Sequence, residues 1–435
     1  MLTTRTRDRI DEIVARTQTV SRAPSLIVAV IRDGAIAHQC LAGTTPRPSP
    51  DLQYRLGSIT KTMTAALVLG LRDAGRLDLD DLVTTHLPGL DLPGVRLRHL
   101  LSHSSGLQRE PEGAWWERNP GVSVDELLAR VTSAKLAFGP YQRYHYSNLA
   151  YGLLGAVVER VTGAPWWDTL SARLLAPLGM TRTTYHPAEP YARGYVVHPW
   201  DGTLREEPRE DARAMAPAGQ LWSTVDDMAR FVAALTGHHP AVLSPATVDE
   251  MARPVVLADP ESWSHGYGLG LQLWRSGDRV YCGHTGSMPG YLAVVVVHRR
   301  SATGVVAFAN TYTLPGTGIG RTGVAILDAV LDSEPVPSPT AWQPSATPAP
   351  ADVQPLLGVW WWMGQQYTAR WDPDGTLVIA APAEEWRFTR EGPDRWRGLT
   401  GEQAGEILTV LRDPDGAVVG LDIATFVFRR DPMAD

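Results

Sequence analysis

The 435-residue sequence predicts an α+β protein built in two parts. Three observations carry that expectation. A strand hairpin, a long run of helical patterns and a second set of strands fill residues 1–333. A proline-rich stretch follows at 334–355, with seven prolines in EPVPSPTAWQPSATPAPADVQP, and reads as an extended linker. Residues 356–435 then change character, to short strands separated by Asp-Gly and Pro-Asp turns, and predict a small antiparallel β-domain, a barrel or a sandwich.

Thr4 to Thr19 place Ile10, Ile13 and Val14 on one face and predict an amphipathic helix. SLIVAVIRDGAIAHQCLAG reads as two strands joined at Asp33-Gly34. Ile59 to Ala74 is strongly helical, and helical patterns continue to about Leu235. GYGLGLQLW, RVYCGHTG, GYLAVVVVHRR and GVVAFAN read as strands, and TGVAILDAVLD as a helix closing the first part. No internal repeat is seen.

Composition narrows the function. Hydrophobic residues make up 44% and charged residues 20%, as in a globular protein, and the net charge of −7 gives no reason to expect nucleic acid. No stretch is apolar enough to span a membrane, and MLTTRTRDRIDEIVARTQTV lacks the apolar run of a signal peptide. With only Cys40 and Cys282, a reduced, cytoplasmic setting is expected. His238, His239 and His265 have no metal-ligand spacing, so neither a metal nor another cofactor is expected. The 15 tryptophans cluster at Trp115-Trp116, Trp166-Trp167 and Trp360-Trp361-Trp362, which suits either a lined cleft or core packing.

Of the 40 Lys and Arg residues only Lys61 and Lys135 are lysine. Lysine can lose its proton when desolvated and arginine cannot, so Lys61 is a candidate base. Ser58 lies three residues earlier, where the chain enters a helix. That spacing puts both side chains on one face, at the positive end of the helix dipole, which favours a neutral lysine and an alkoxide. A serine hydroxyl needs such a base to become a nucleophile. YHYSNLAYGLLGAVVERVTG adds Tyr146, a possible proton relay, and Asn148, whose amide can bond both a lysine and a substrate. GHTGSMPGYLAVVVV adds His284-Thr285-Gly286-Ser287 before an apolar strand. Glycine there lets a substrate lie against the strand edge, and a backbone N–H of that edge could complete an oxyanion hole with that of Ser58.

Taken in order, S-x-x-K, Y-x-N and H-T-G resemble the serine β-lactamase and penicillin-binding protein superfamily, in its class C-like branch. LLSHSSGL and APAGQLWSTVDDMARF resemble the same branch. The resemblance implies a domain with an antiparallel sheet flanked by helices plus an all-helical subdomain. It implies Ser58 as acylated nucleophile, Lys61 and Tyr146 as proton carriers, Asn148 as the group orienting Lys61 and the substrate amide, and Ser58 and Ser287 as oxyanion-hole residues. His284 stands where the family usually has lysine, exchanging a fixed cation for a group that ordinarily titrates near neutrality, so rate is expected to vary between about pH 6 and 8 if its charge counts.

Without a leader, a cytoplasmic substrate is expected. The stand-alone penicillin-binding-protein-type thioesterases of actinobacterial nonribosomal peptide pathways share these motifs and end in a lipocalin-like β-domain. The resemblance to them implies a peptidyl carrier protein or peptidyl thioester as partner, a C-terminal D-residue, and release as a head-to-tail macrolactam. It further implies Thr285, Gly286, Gly219 and Arg429 or Arg430 as substrate-side residues. An esterase or D-amino-acid amidase of the same branch, transferring the acyl group to water, fits the same motifs.

Overall fold

The computed structural model describes residues 2–312, 318–334 and 348–433. They form two compact units, 1–336 and 337–435. Most of the predicted linker, 335–347, lies outside the described residues.

In the first unit the predicted hairpin forms β1 (Ser25–Arg32) and β2 (Ala35–Gly43). Its turn places Asp33 and Gly34 at φ 51° and 76°, the left-handed pair that a two-residue hairpin requires. Six more strands complete an eight-stranded antiparallel sheet: β3 (Val256–Leu257), β4 (His265–Tyr267), β5 (Gln272–Ser276), β6 (Arg279–Met288), β7 (Tyr291–His298) and β8 (Thr303–Ala309). Their spatial order is β2-β1-β8-β7-β6-β5-β4-β3. GYGLGLQLW, expected as one strand, is divided between β4 and β5.

Both faces of the sheet are buried, which explains the unbroken run VVVV in β7. Alternate residues face opposite ways. Val28, Val30, Val294, Val296 and Val305 pack with Ile10 and Val14 of α1 (Thr4–Ser21) and with Ile326 of the closing helix, Gly318–Ser333. Ile27, Ala29, Val295, Val297 and Phe308 face a larger core that includes α2 (Ile59–Asp73) and α3 (Asn148–Thr162). At the site end, β5 pairs with β6 only as far as Gly283, whereas β7 pairs with it through Met288. The segment from His284 to Met288 therefore has one edge without a neighbouring strand.

The second unit is an eight-stranded antiparallel barrel with neighbours in chain order, from Gly358–Trp362 to Phe426–Phe428. Trp361 and Arg429 exchange backbone hydrogen bonds of 2.7 and 2.8 Å and nearly close it. Its interior is filled by side chains, among them Trp360, Tyr367, Trp386, Trp396 and Phe428. Val353 and Leu356 are buried in that core, so the barrel's packing reaches back into the proline-rich stretch.

Candidate active site

Ser58 sits at the N-cap of α2 but spends no side-chain hydrogen bond on capping. Its hydroxyl instead accepts a 2.9 Å bond from Lys61 Nζ. Lys61 is fully buried and donates its second bond, 2.6 Å long, to the Ala218 carbonyl in the short helix Ala216–Gly219. Burial drives its pKa down to about 7, opposed by the nearby charges of Glu110 and Glu117. Desolvation thus brings the neutral amine within reach near neutral pH, hydrogen-bonded to a half-buried hydroxyl.

Tyr146 completes this corner. Lys61 Nζ lies 5.1 Å from its ring centroid and His103 stacks against it at 4.3 Å. The apolar surroundings push the phenol well above its usual range, with a hydrogen bond from Ser58 acting the other way. Tyr146 is thus held in its neutral form. His103 holds the segment by accepting the Ser147 N–H at Nδ1, 3.1 Å away. Ser147 caps α3 through the Ala150 N–H, which fixes Asn148 in the first turn.

Asn148 donates to Glu110 Oε1 at 2.7 Å rather than to Lys61, and its Oδ1 is buried without a partner among the described residues. Glu110 also accepts from Trp116 Nε1 at 2.6 Å and pairs with Arg109 at 3.3 Å.

The edge of β6 supplies the opposite wall. Thr285 N–H points away from β7 to Gln272 Oε1, 3.0 Å away. By the two-residue period Ser287 N–H points to the same unpaired edge. A Cβ at Gly57, which is at φ +54°, would lie 2.5 Å from Ser287 N, and one at Gly286 would collide with Leu56 O. Glycine at both places lets the Ser58 turn and the strand meet, backbone to backbone, as two converging N–H donors require.

Ser58, Tyr146, Asn148, Thr285, Gly286 and Ser287 line one cavity of about 490 Å³ together with Arg109, Glu117 and Gln272. Gly219 is adjacent to it: a Cβ there would sit 3.5 Å from Trp116 and 3.7 Å from the Gly57 carbonyl carbon. Of the three tryptophan clusters, Trp116 and Trp166 belong to the larger core and Trp360 to the barrel core, Trp116 reaching Glu110 beside the site, whereas Trp115 is exposed.

His284 and the two C-terminal arginines have surroundings that the sequence did not indicate. His284 is 1% exposed and does not line the cavity. Its Nδ1 faces the Thr285 carbonyl at 2.5 Å, which places the proton there and leaves Nε2 to accept from Tyr267 at 3.0 Å. Burial first, then the charge of Lys61, lowers its pKa to about 3. Burial therefore favours its neutral form across pH 6–8, against a role for its charge in that window. Arg429 and Arg430 belong to the barrel unit. Arg430 lies 3.7 Å over the Trp360 ring and donates to the carbonyls of Val359, Pro355 and Leu357; Arg429 donates to Val419 O. Arg430 clasps the barrel's entry segment to its last strand.

The sequence reading missed Glu110, Glu117, Arg109, Gln272, His103 and Arg55. Arg55 is buried with no carboxylate partner, donates to Glu210 O and Gln220 Oε1, and remains charged at neutral pH although burial lowers it to about 10. Its position three residues before Ser58 was a signal available in the sequence. His103 lies within LLSHSSGL, a stretch the resemblance already singled out, and Gln272 opens β5, whereas Arg109, Glu110 and Glu117 come from a loop with no motif of its own. Among the described residues no group of three or more His, Cys, Asp or Glu side chains could hold a metal, and no helix is long and apolar enough to cross a membrane.

The chain resembles known proteins over both units. Residues 349–430 match a domain of unknown function, DUF7586. Penicillin-binding protein 4 of Amycolatopsis lactamdurans is 30% identical over 377 residues, covering 79% of this chain and 94% of that protein. Beta-lactamase-like protein 2 of Dictyostelium discoideum is 28% identical over 271 residues; the match takes in 57% of this chain and about half, 49%, of that protein. Among solved structures, a D-stereospecific amidohydrolase from Streptomyces aligns with TM-score 0.63 and 26% identity over 75% of this chain and 98% of its own. SurE shares the fold over 98% of this chain and 99% of its own, with TM-score 0.62 and 24% identity. Residues 10–328 match the family model described as Beta-lactamase, and with that match the chain belongs to the β-lactamase and penicillin-binding protein superfamily of serine acyl-enzyme hydrolases.

Proposed function

We propose that this protein is a penicillin-binding-protein-type thioesterase. It takes a nonribosomal peptide with a C-terminal D-residue from a carrier-protein thioester onto Ser58 and releases it by head-to-tail macrolactamisation in the cytoplasm. The observation that carries the acyl-enzyme part is the 2.9 Å bond between Ser58 and a buried Lys61 whose pKa is near 7. Neutral Lys61 takes the Ser58 proton as Oγ attacks the thioester carbonyl, and Tyr146 passes a proton to the departing thiolate. The Ser58 and Ser287 N–H groups receive the oxyanion. Asn148 Oδ1, buried and unpartnered, accepts the substrate amide N–H. Thr285 and Gly286 give the acyl chain a strand edge to lie along.

The preference for a D-residue draws support from the D-stereospecific amidohydrolase of Streptomyces. Pairing of the Ser58–Lys61 site with a barrel unit in one chain fits the cyclase, whose resembled thioesterases have that architecture, but does not separate it from the hydrolase: a penicillin-binding protein homologue from Pyrococcus abyssi aligns over 97% of this chain. The hydrolase reading has its own support in the esterase EstB of Burkholderia gladioli, 35% identical over 205 residues.

The deciding experiment is mass spectrometry of the products from a linear peptidyl thioester ending in a D-residue. A product lighter than the linear acid by one water supports the cyclase. Free linear acid alone, formed by the wild type and lost in Ser58→Ala, would replace the cyclase reading by the hydrolase one.

A further inference from the structure

Glu117 is the one carboxylate lining the Ser58 cavity. It is half-buried, yet no hydrogen bond or ion pair engages it among the described residues. Its neighbour Glu110 has three partners, Asn148, Trp116 and Arg109. A partly desolvated, unengaged carboxylate is costly to keep unless something else completes it. A second unengaged acceptor, Asn148 Oδ1, is buried on a residue that lines the same cavity and is only 4% exposed. Gln272 Oε1 already accepts from Thr285. These two free acceptors call for a ligand group that donates.

We propose that Glu117 is the acceptor-amine residue of this site: it binds the ammonium of the attacking nucleophile and removes one proton from it. The proposal rests on the acyl-Ser58 reading above and adds what selects an amine over water.

In the step, R–NH3+ gives a proton to the Glu117 carboxylate and becomes R–NH2. The nitrogen lone pair then forms the C–N bond to the acyl carbon, and the C–O bond to Ser58 Oγ breaks. The second nitrogen proton passes through Lys61 and Tyr146 to Oγ, leaving an amide, free Ser58 and a protonated Glu117 that loses its proton to solvent. Burial first, then the charge of Glu110, raises the Glu117 carboxyl to about 7, while Lys61, Arg55 and Arg109 oppose the rise. A peptide α-amine has a pKa of about 8, so proton exchange between the two is nearly balanced. Water has no positive charge and forms no ion pair with this carboxylate.

The test uses the full chain, an N-acetylated D-aminoacyl thioester that has no amine of its own, and two external acceptors. Glycinamide is mostly protonated at neutral pH; hydroxylamine is not. The readout is the ratio of aminolysis product to free acid, which is independent of how fast Ser58 is loaded. In Glu117→Gln the ratio is expected to fall at least tenfold for glycinamide and less than twofold for hydroxylamine, with Glu117→Asp recovering part of it. An unchanged glycinamide ratio, or an equal loss for both amines, overturns the proposal while the acyl-enzyme reading stands. If the wild type forms no adduct on Ser58 by intact mass, the underlying reading fails and this proposal with it. A folding defect in Glu117→Gln shows in the Asp variant as well, and equal ratios in a folded Asp variant and the wild type, with loss only in Gln, still support the carboxylate.

Discussion

The two units bury their side chains in opposite ways. Around Ser58 the first unit buries Lys61, Arg55, His103, His284 and Asn148 with no salt bridge to any of them among the described residues. The barrel does the reverse. Its core is aromatic and aliphatic, while its charged residues pair across exposed strands, as Arg387 with Asp372 and Asp374, Arg397 with Glu391 and Arg412 with Asp394. Desolvated polar groups cost stability, and the first unit offsets that with a core drawn from both faces of its sheet. What it obtains is chemistry: a lysine near neutrality, phenols that hold their protons, a histidine that stays neutral. Exposed ion pairs contribute little, so the barrel's stability rests on its aromatic packing.

The contrast is broken first at Ser58. Ser58→Ala should give no acyl adduct by intact mass with an activated D-acyl thioester, and any surviving Ser-linked turnover would move the reactive corner elsewhere. Lys61→Arg should lower the acylation rate by about 100-fold or more, because arginine cannot accept the proton; near-normal stopped-flow rates would make Lys61 a packing residue.

In the barrel the largest effect falls on stability. Trp360→Ala removes a fully buried ring and the platform under Arg430, and should cost about 3–5 kcal/mol. Hydrogen exchange over strands 358–428 reads this, and unaltered protection there would mean that the aromatic core is not what holds the unit.

A smaller effect separates Lys61 from His284, with Glu117 the further group of the same cavity placed near 7. The acylation rate should rise with pH through about 7, since Lys61 is the base only when deprotonated and its protonated fraction grows below that point. His284, lowered to about 3, is neutral at both ends of this window, so His284→Gln should keep the inflection. An inflection that vanishes in that variant would return the profile to His284. The smallest effect is expected at the barrel surface: Arg397→Ala should change stability by less than about 1 kcal/mol in chemical denaturation.

Much of the site was legible because it is local. Ser58 and Lys61 are one helical turn apart, and the helix geometry alone puts the amine beside the hydroxyl. The three residues of Y-S-N divide their work by position: Ser147 caps, Tyr146 precedes the cap and Asn148 follows it. The turn at Asp33-Gly34 was legible for the same reason. Met363, at φ 49° beside Gly364, shows the limit, since no turn preference nominates methionine. The residue type of His284 suggested a group that titrates near neutrality. Burial between Tyr267 and the Thr285 carbonyl decided otherwise.

By itself the sequence determined the superfamily, the juxtaposition of Ser58 and Lys61, and the presence of a β-rich C-terminal part, because spacing along a helix and alternation along a strand are properties of the chain alone. Only the tertiary structure decided which carboxylate meets the cavity. Glu110 and Glu117 are seven residues apart in a loop, chemically alike, and no pattern separates them. Packing against Trp116, Asn148 and Arg109 commits the first to structure and leaves the second free. Burial likewise set Lys61 near 7 and His284 near 3, since a side chain's charge depends on the dielectric and neighbours that folding assembles from distant parts of the chain.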